Sequence, residues 1–246
     1  MDYKIIELKS TLSTNSFAKE LLSREKVQEG TVIYALEQIS GRGHGNNLWE
    51  SEAGKNLTFS LVLYPDFLAA REQFMITKVV SLGLIDFLKS FYNIRQIRIK
   101  WPNDIYAGLK KIAGVLIESD IVGSNIVHTI TGIGLNLNQE LFLSDAPNPV
   151  SVRNLIHENS DISISLDSVL YSIGLRYNQL REGEYRKLNS DYLENLLFYN
   201  KIHKYISGGN TFKGVITDVD QYGKLQILSE KGELRSFGMK EIAFVL

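Results

Sequence analysis

The sequence predicts an α+β protein: a mixed, largely antiparallel sheet packed against helices, followed by a small β-rich unit at the C-terminus. Three observations carry this. Runs of β-branched or alternating apolar residues dominate the first 135 positions, four stretches have helical spacing, and after residue 199 short strands alternate with Gly-containing turns.

Residues 3–8 read as a strand and 14–24 as a helix, with Phe17, Ala18, Leu21 and Leu22 on one side and Ser13 or Thr14 as the cap. A β-branched run at 31–36 follows Gly30. Residues 56–64 alternate Leu57, Phe59, Leu61 and Leu63 against Thr58 and Ser60, so both segments are strands with a Gly-rich loop between them. Phe74, Lys78, Val79, Leu82, Ile85 and Phe87 keep helical spacing, which predicts an amphipathic helix over 71–90 lying across the sheet. Residues 96–101, 111–119 and 125–135 supply three more strands, the last two joined by a Gly-Ser-Asn turn. A polar, Pro-containing loop is expected over 144–163, then helices at 166–180 and 185–197. Beyond residue 199, Gly208-Gly209, Asp220-Gln221-Tyr222-Gly223 and Lys231-Gly232 punctuate short strands, as in a small β-barrel. The expected units are therefore 1–198 and 199–246.

A chain of 246 residues with 44% hydrophobic and 22% charged residues has the composition of a globular protein with one or two cores. The absence of Cys excludes a disulfide framework, a thiolate metal site and a thiol nucleophile, and it fits a reducing compartment such as the cytoplasm. Residues 1–10 alternate charged and apolar side chains, so neither a signal peptide nor a membrane helix is expected. A net charge of −1 gives no global field for a polyanion, and neither nucleic acid nor membrane is an expected partner.

Three clusters could carry chemistry. Gly41-Arg42-Gly43-His44-Gly45 lies between two strands, where Gly lets backbone N–H groups converge on an anion and Arg42 adds a bidentate donor. It lacks the Lys-Ser or Lys-Thr pair of a Walker loop and runs on through Asn46, Asn47 and Leu48 to Trp49; a mobile connection would look the same. In Lys100-Trp101-Pro102-Asn103-Asp104, Pro102 ends a strand and turns Asn103 and Asp104 off the sheet's end, though on local evidence a self-satisfied β-turn is the plainer reading. Lys111 then opens an apolar strand, where a solvated edge charge is the plainer reading. The third cluster, Gly132-Ile133-Gly134-Leu135-Asn136-Leu137-Asn138, places two Gly residues inside a strand, which weakens it unless something such as a ligand approaches the backbone.

Together, and in this order, these sequences resemble the biotin–protein ligase family. The shared motifs are Ser13-Thr14-Asn15, Gly41-Arg42-Gly43 with Trp49, Lys100 to Asp104, Lys111-Ile112-Ala113-Gly114 and Gly132 to Asn136; the match is looser at 214–228 and 239–242. The resemblance implies a class II synthetase-like catalytic fold with a C-terminal SH3-like barrel. It also implies an enzyme that activates biotin with ATP and magnesium to biotinyl-5'-adenylate, then transfers it to a lysine of a biotin carboxyl carrier protein. Ser13, Thr14, Asn15 and Gln38 would bind the ureido ring, and Gly41, Arg42, Gly43, His44, Lys111, Gly114 and Gly132 would surround biotin or its adenylate. Arg42 and Lys111 would offset the repulsion of two meeting anions. Asp104 could position magnesium, orient the incoming amine or accept its proton, and Trp49, Asn103 and Asn136 would lie on the nucleotide side.

Two departures from the family pattern stand out. Many bacterial relatives have basic residues where His44, Gly45 and Asn47 stand, so this loop is poorer in fixed charge and weaker retention of the adenylate is expected. Only twelve residues precede Ser13, too few for the winged helix-turn-helix of bifunctional relatives, so a monofunctional type is expected. A lipoate–protein ligase on the same scaffold and a non-catalytic biotin or nucleotide sensor are the rival readings. A homodimer is left open.

Overall fold

The structure is a computed structural model that describes residues 1–45, 47–144 and 148–246; Asn46 of the expected Gly-rich loop and residues 145–147 of the expected polar loop lie outside the described residues. Seven strands form the main sheet: β1 (Lys4–Leu8), β2 (Thr31–Ala35), β3 (Leu57–Leu63), β4 (Ile97–Lys100), β5 (Asp104–Ala107), β6 (Lys110–Val122) and β7 (Asn125–Leu135). Their spatial order is β1-β2-β3-β7-β6-β5-β4, with β1 and β2 parallel and every other pair antiparallel. Parallel neighbours need a crossover, which α1 (Thr14–Arg24) supplies.

The alternation in β3 explains why both sheet faces are covered. Leu57, Phe59, Leu61 and Leu63 enter the main core, whereas Val62 joins Ala18, Ile33 and Ile130 beneath α1. On the opposite face lies α2 (Phe74–Ser90), which is not the amphipathic helix the spacing suggested, because every residue from 75 to 85 is buried. The sheet covers one side of it, and α4 (Ile162–Arg181) and α5 (Tyr185–Glu194) cover the other. Lys78 is tolerated inside because its Nζ donates to Asn189 Oδ1 at 2.7 Å and lies over the Phe74 and Tyr192 rings.

Local chemistry also overrides three other expectations. The run after Pro102 is not only a turn: Asp104 opens β5, a hairpin partner of β4 with Lys100 opposite Asp104. The expected loop over 144–163 contains α3 (Val152–Ile156), closed by a capping box between Ser151 and Asn154, and α4 begins at Ile162 because Asp161 Oδ1 accepts from Ile164 N. Ser13 stands at the N-cap of α1 without capping through its side chain; Gln38 Oε1 accepts from Thr14 N at 2.8 Å instead.

The C-terminal segment is a five-stranded antiparallel sheet, β8 (Ile202–Ser207), β9 (Asn210–Val219), β10 (Leu225–Ser229), β11 (Leu234–Phe237) and β12 (Ala243–Phe244), in the order β11-β10-β9-β8-β12. Tyr205, Ile216, Leu225 and Ile227 belong to the same packed core as the main sheet's residues. The junction is specific: Trp101 Nε1 donates to Gly223 O at 3.0 Å. Gly223 itself sits at φ +83° with the space for a Cβ taken by the Phe74 ring, 2.4 Å away, so only glycine fits. Among the described residues, no helix is long and apolar enough to cross a membrane.

Candidate functional site

On the α1 face of the main sheet, a cavity of about 340 Å³ opens between the 41–49 loop, the β4–β5 turn and the end of the C-terminal sheet. Its floor is built by strand register. Gly114 lies opposite Gly134 and Leu116 opposite Gly132, so the pleat turns nearly bare backbone toward the cavity. Protein side chains occupy the space that the glycines leave. A Cβ at Gly132 would lie 2.3 Å from Asn15 Oδ1, one at Gly134 would lie 2.3 Å from the Trp49 indole, and one at Gly114 would lie 3.2 Å from that indole. The reading that something approaches these backbones holds, and Asn15 and Trp49 are what approach.

The N-terminus of α1 forms one wall, where Ser13, Thr14 and Asn15 are buried. Asn15 is engaged at both ends: Oδ1 accepts from Ser60 Oγ at 2.6 Å, and Nδ2 donates to Glu118 Oε2 at 2.9 Å and Leu116 O at 3.3 Å. Both Nδ2 hydrogens are thus used within the protein, while Asn15 still lines the cavity and its Oδ1 can accept a second bond. Thr14 Oγ1 lies 3.2 Å from Gln38 Oε1 and 2.8 Å from Ser60 Oγ. Ser13 Oγ and the Gln38 amide N–H₂ make no hydrogen bond among the described residues, which leaves them for a ligand.

Cations gather on the other side. Lys111 Nζ pairs with Asp104 Oδ1 at 2.7 Å and lies 5.6 Å from the Trp49 ring, while Arg42 reaches Glu118 Oε1 at 3.6 Å. Lys100 Nζ lies 3.4 Å from Tyr106 OH and over the Phe244 ring. Burial lowers the Lys100 pKa and Lys111 adds to the fall, with Asp104 opposing it. The Gly-rich loop is itself a small hairpin in which Gly43 N donates to Asn47 O and Trp49 N to Gly41 O, both at 2.8 Å. Among the described residues, Trp49 Nε1 is buried without a partner.

Of the residues singled out in the sequence, Arg42, Gly43, His44, Trp49, Asn103, Asp104, Lys111, Gly114 and Gly132 line the cavity with the α1 group. Asn103 Nδ2 is committed to Val115 O at 2.5 Å. Gly41 and Asn136 stand behind the wall: a Cβ at Gly41 would meet Trp49 O at 2.5 Å, and Asn136 is buried with Nδ2 donating to Val150 O at 3.1 Å. Among the described residues, no three His, Asp or Glu side chains converge on a metal position, and Asp104 is the one carboxylate lining the cavity. A protein-built magnesium cage therefore does not fit; one carboxylate suits only a magnesium ion that arrives on a phosphate ligand.

Sequence reading missed Ser60 and Glu118, which hold Asn15, and the contributions of Met239, Lys240, Ile242, Ala243 and Phe244 from the C-terminal end. Glu118 was within reach, since Gly114, Leu116 and Glu118 share one face of β6 by period-two alternation. At the C-terminal end the loose family match at 239–242 is the one local signal, and it does not point to a site.

Comparison with known proteins gives these features a context. The model of the Biotin/lipoate A/B protein ligase family matches residues 7–136. A bifunctional ligase/repressor BirA of Bacillus spizizenii is 34% identical over 128 residues, 52% of this chain but only 38% of that protein, so the match spans well under half of that relative. A biotin–[acetyl-CoA-carboxylase] ligase of Mycobacterium tuberculosis is 25% identical over 225 residues, covering 89% of this chain and 82% of the relative. Among solved structures, a biotin protein ligase from Aquifex aeolicus in complex with biotin and ATP superposes with a TM-score of 0.80 at 25% identity, covering 98% of this chain and 97% of that one.

Proposed function

The chain belongs to the biotin/lipoate A/B protein ligase family, and we propose that it is an ATP-dependent biotin–protein ligase. The observation that carries this reading is one cavity in which the α1 hydrogen-bonding wall faces Arg42 and Lys111 across a glycine floor. Such a site suits a small acid with a polar ring at one end and a phosphate at the other. The Aquifex relative crystallised with biotin and ATP supports the choice of ligands, and relatives named biotin–[acetyl-CoA-carboxylase] ligases support a biotin carboxyl carrier protein as acceptor. The division into a catalytic unit, 1–198, and a β unit, 199–246, belongs to the same proposal.

In the first half-reaction the biotin carboxylate attacks the α-phosphorus of ATP, and diphosphate leaves. Ser13 Oγ and Gln38 hold the ureido ring by directional hydrogen bonds, while Arg42 and Lys111 offset the repulsion between carboxylate and phosphate. Both cations are held beforehand by carboxylates, Glu118 and Asp104, so they stand at the site before substrate enters. Magnesium enters with ATP as part of the substrate. In the second half-reaction the carrier's lysine amine attacks the acyl carbon and AMP leaves. Lys111 turned to the phosphate frees Asp104 to orient that amine and accept its proton.

Biotin-dependent exchange between ATP and labelled diphosphate tests the first half-reaction. Exchange with biotin and none with lipoate is the expected result; exchange with lipoate alone moves the chain to the family's other branch.

A further inference from the structure

The turn between β11 and β12 carries a residue whose backbone and side chain both ask for an explanation. Lys240 sits at φ +69°, in the left-handed region where glycine is favoured and an L side chain is strained. Such strain persists where the surroundings or a bound ligand require the side chain. Its ammonium reaches across the mouth of the cavity to the Gly-rich loop: a Cβ on Gly45 would lie 2.4 Å from Lys240 Nζ. Gly45, itself at φ +67°, leaves the space in which the ammonium rests.

The charge pattern says what this ammonium is for. Arg42 and Lys111 each have a carboxylate partner, whereas Lys240 makes no ion pair among the described residues. The adjacent acid, Glu241, is turned away to accept from Gly238 N at 2.6 Å. With Lys100, four cations and one carboxylate among the described residues line the cavity. That excess suits a polyanion, not the single carboxylate of a small acid.

We propose that Lys240 is a phosphate-binding residue, a cation delivered by the C-terminal sheet that holds the triphosphate of ATP and then the phosphate of the acyl-adenylate. This rests on the adenylating function proposed above and adds a division of labour to it. The Gly-rich loop supplies backbone and Arg42, and the C-terminal turn supplies the further charge that closes over the nucleotide. The C-terminal unit is thereby part of the nucleotide site.

The test is Lys240→Gly, which removes the ammonium and the backbone strain together, beside Lys240→Arg, which keeps the charge. Lys240→Gly is expected to raise the KM for ATP in diphosphate exchange about tenfold or more, the scale of one charge-assisted hydrogen bond. Biotin affinity stays at the parental value, and the melting temperature stays the same or rises. Lys240→Arg retains ATP affinity. A merely solvated lysine gives a Lys240→Gly protein that is as stable or more so with the parental KM for ATP, and that result overturns the inference. If the parental protein shows no exchange with biotin, the adenylating reading fails on its own. Calorimetric titration of both proteins with magnesium-ATP then decides the role of Lys240, since equal affinities reject it.

Discussion

Gly132→Ala is the sharpest probe of how the floor of the cavity is built. The new methyl group would lie 2.3 Å from Asn15 Oδ1, 2.8 Å from its Cγ and 3.0 Å from its Nδ2. Relief requires Asn15 to move by roughly 1 Å to reach ordinary van der Waals separation. Asn15 is buried and tied to Ser60, Leu116 and Glu118, so it cannot swing into solvent. Losing the neutral bond to Ser60 costs about 1 kcal/mol and losing the bond to the Glu118 carboxylate about 1.5–3 kcal/mol, giving a destabilisation of about 2.5–4 kcal/mol. In a protein of this size that lowers the melting temperature by about 5–15 °C. The displaced residue carries Ser13 and Thr14 with it, and a misplacement of about 1 Å in a positioning wall weakens turnover by up to about 10²-fold. Calorimetry and biotin titration measure the two effects. Gly114→Ala is the control, because its Cβ would meet only the Trp49 ring and the flexible end of Lys111, at 3.2–3.3 Å, and it should be milder on both counts. A Gly132→Ala protein that melts with the parent and binds biotin as tightly refutes the reasoning.

Three further outcomes follow from the same geometry. Arg42→Ala and Lys111→Ala should each slow biotin-dependent diphosphate release by about 10²–10³-fold while leaving the fold intact, and near-parental rates in both would show that the anion side has been misassigned. Burial holds the Lys78 pKa at about 8, below its usual 10.5. The unfolded chain therefore binds more protons between those values, and parental stability should gain on Lys78→Met as pH rises from 8 toward 10.5, by up to about 3 kcal/mol. Urea denaturation at several pH values across that window checks it, and parallel pH profiles contradict it. Trp101→Phe leaves the Gly223 carbonyl without its donor, so it should cost about 1–3 kcal/mol and speed hydrogen exchange in β9 and β10 beside that turn; unchanged exchange there means the junction rests on apolar packing alone.

How much of this was legible in the sequence depends on the range of the forces involved. The alternation of Leu57, Phe59, Leu61 and Leu63 fixes which face of β3 is core, and it leaves Thr58 and Ser60 on the site's face. Gly132 and Gly134 announce a close approach to a strand's backbone, but only the structure shows that Asn15 and Trp49 make it. β5 was hidden because Pro102 and Asn103 read as a turn, and its four residues are too few for a period to emerge. Asn136 stands out by its place in a motif, but only the structure shows that its Nδ2 ties the end of β7 to Val150 O while, among the described residues, its Oδ1 is buried without a partner. Lys240 lies in the loose family match at 239–242, but that it and Phe244 reach the cavity is a long-range consequence of how the two sheets pack. The family resemblance was legible because its motifs are local and ordered, whereas the assembly of the site from both sheets was not.

Transfer of biotin to a carrier tests the central claim most directly. The protein is incubated with magnesium-ATP, biotin and a biotin carboxyl carrier domain, and the carrier's intact mass and modified residue are determined by mass spectrometry. The account predicts a gain of one biotinyl group on one lysine, dependent on ATP and lost in Lys111→Ala. An unmodified carrier, or modification that proceeds equally well without ATP or without Lys111, contradicts it.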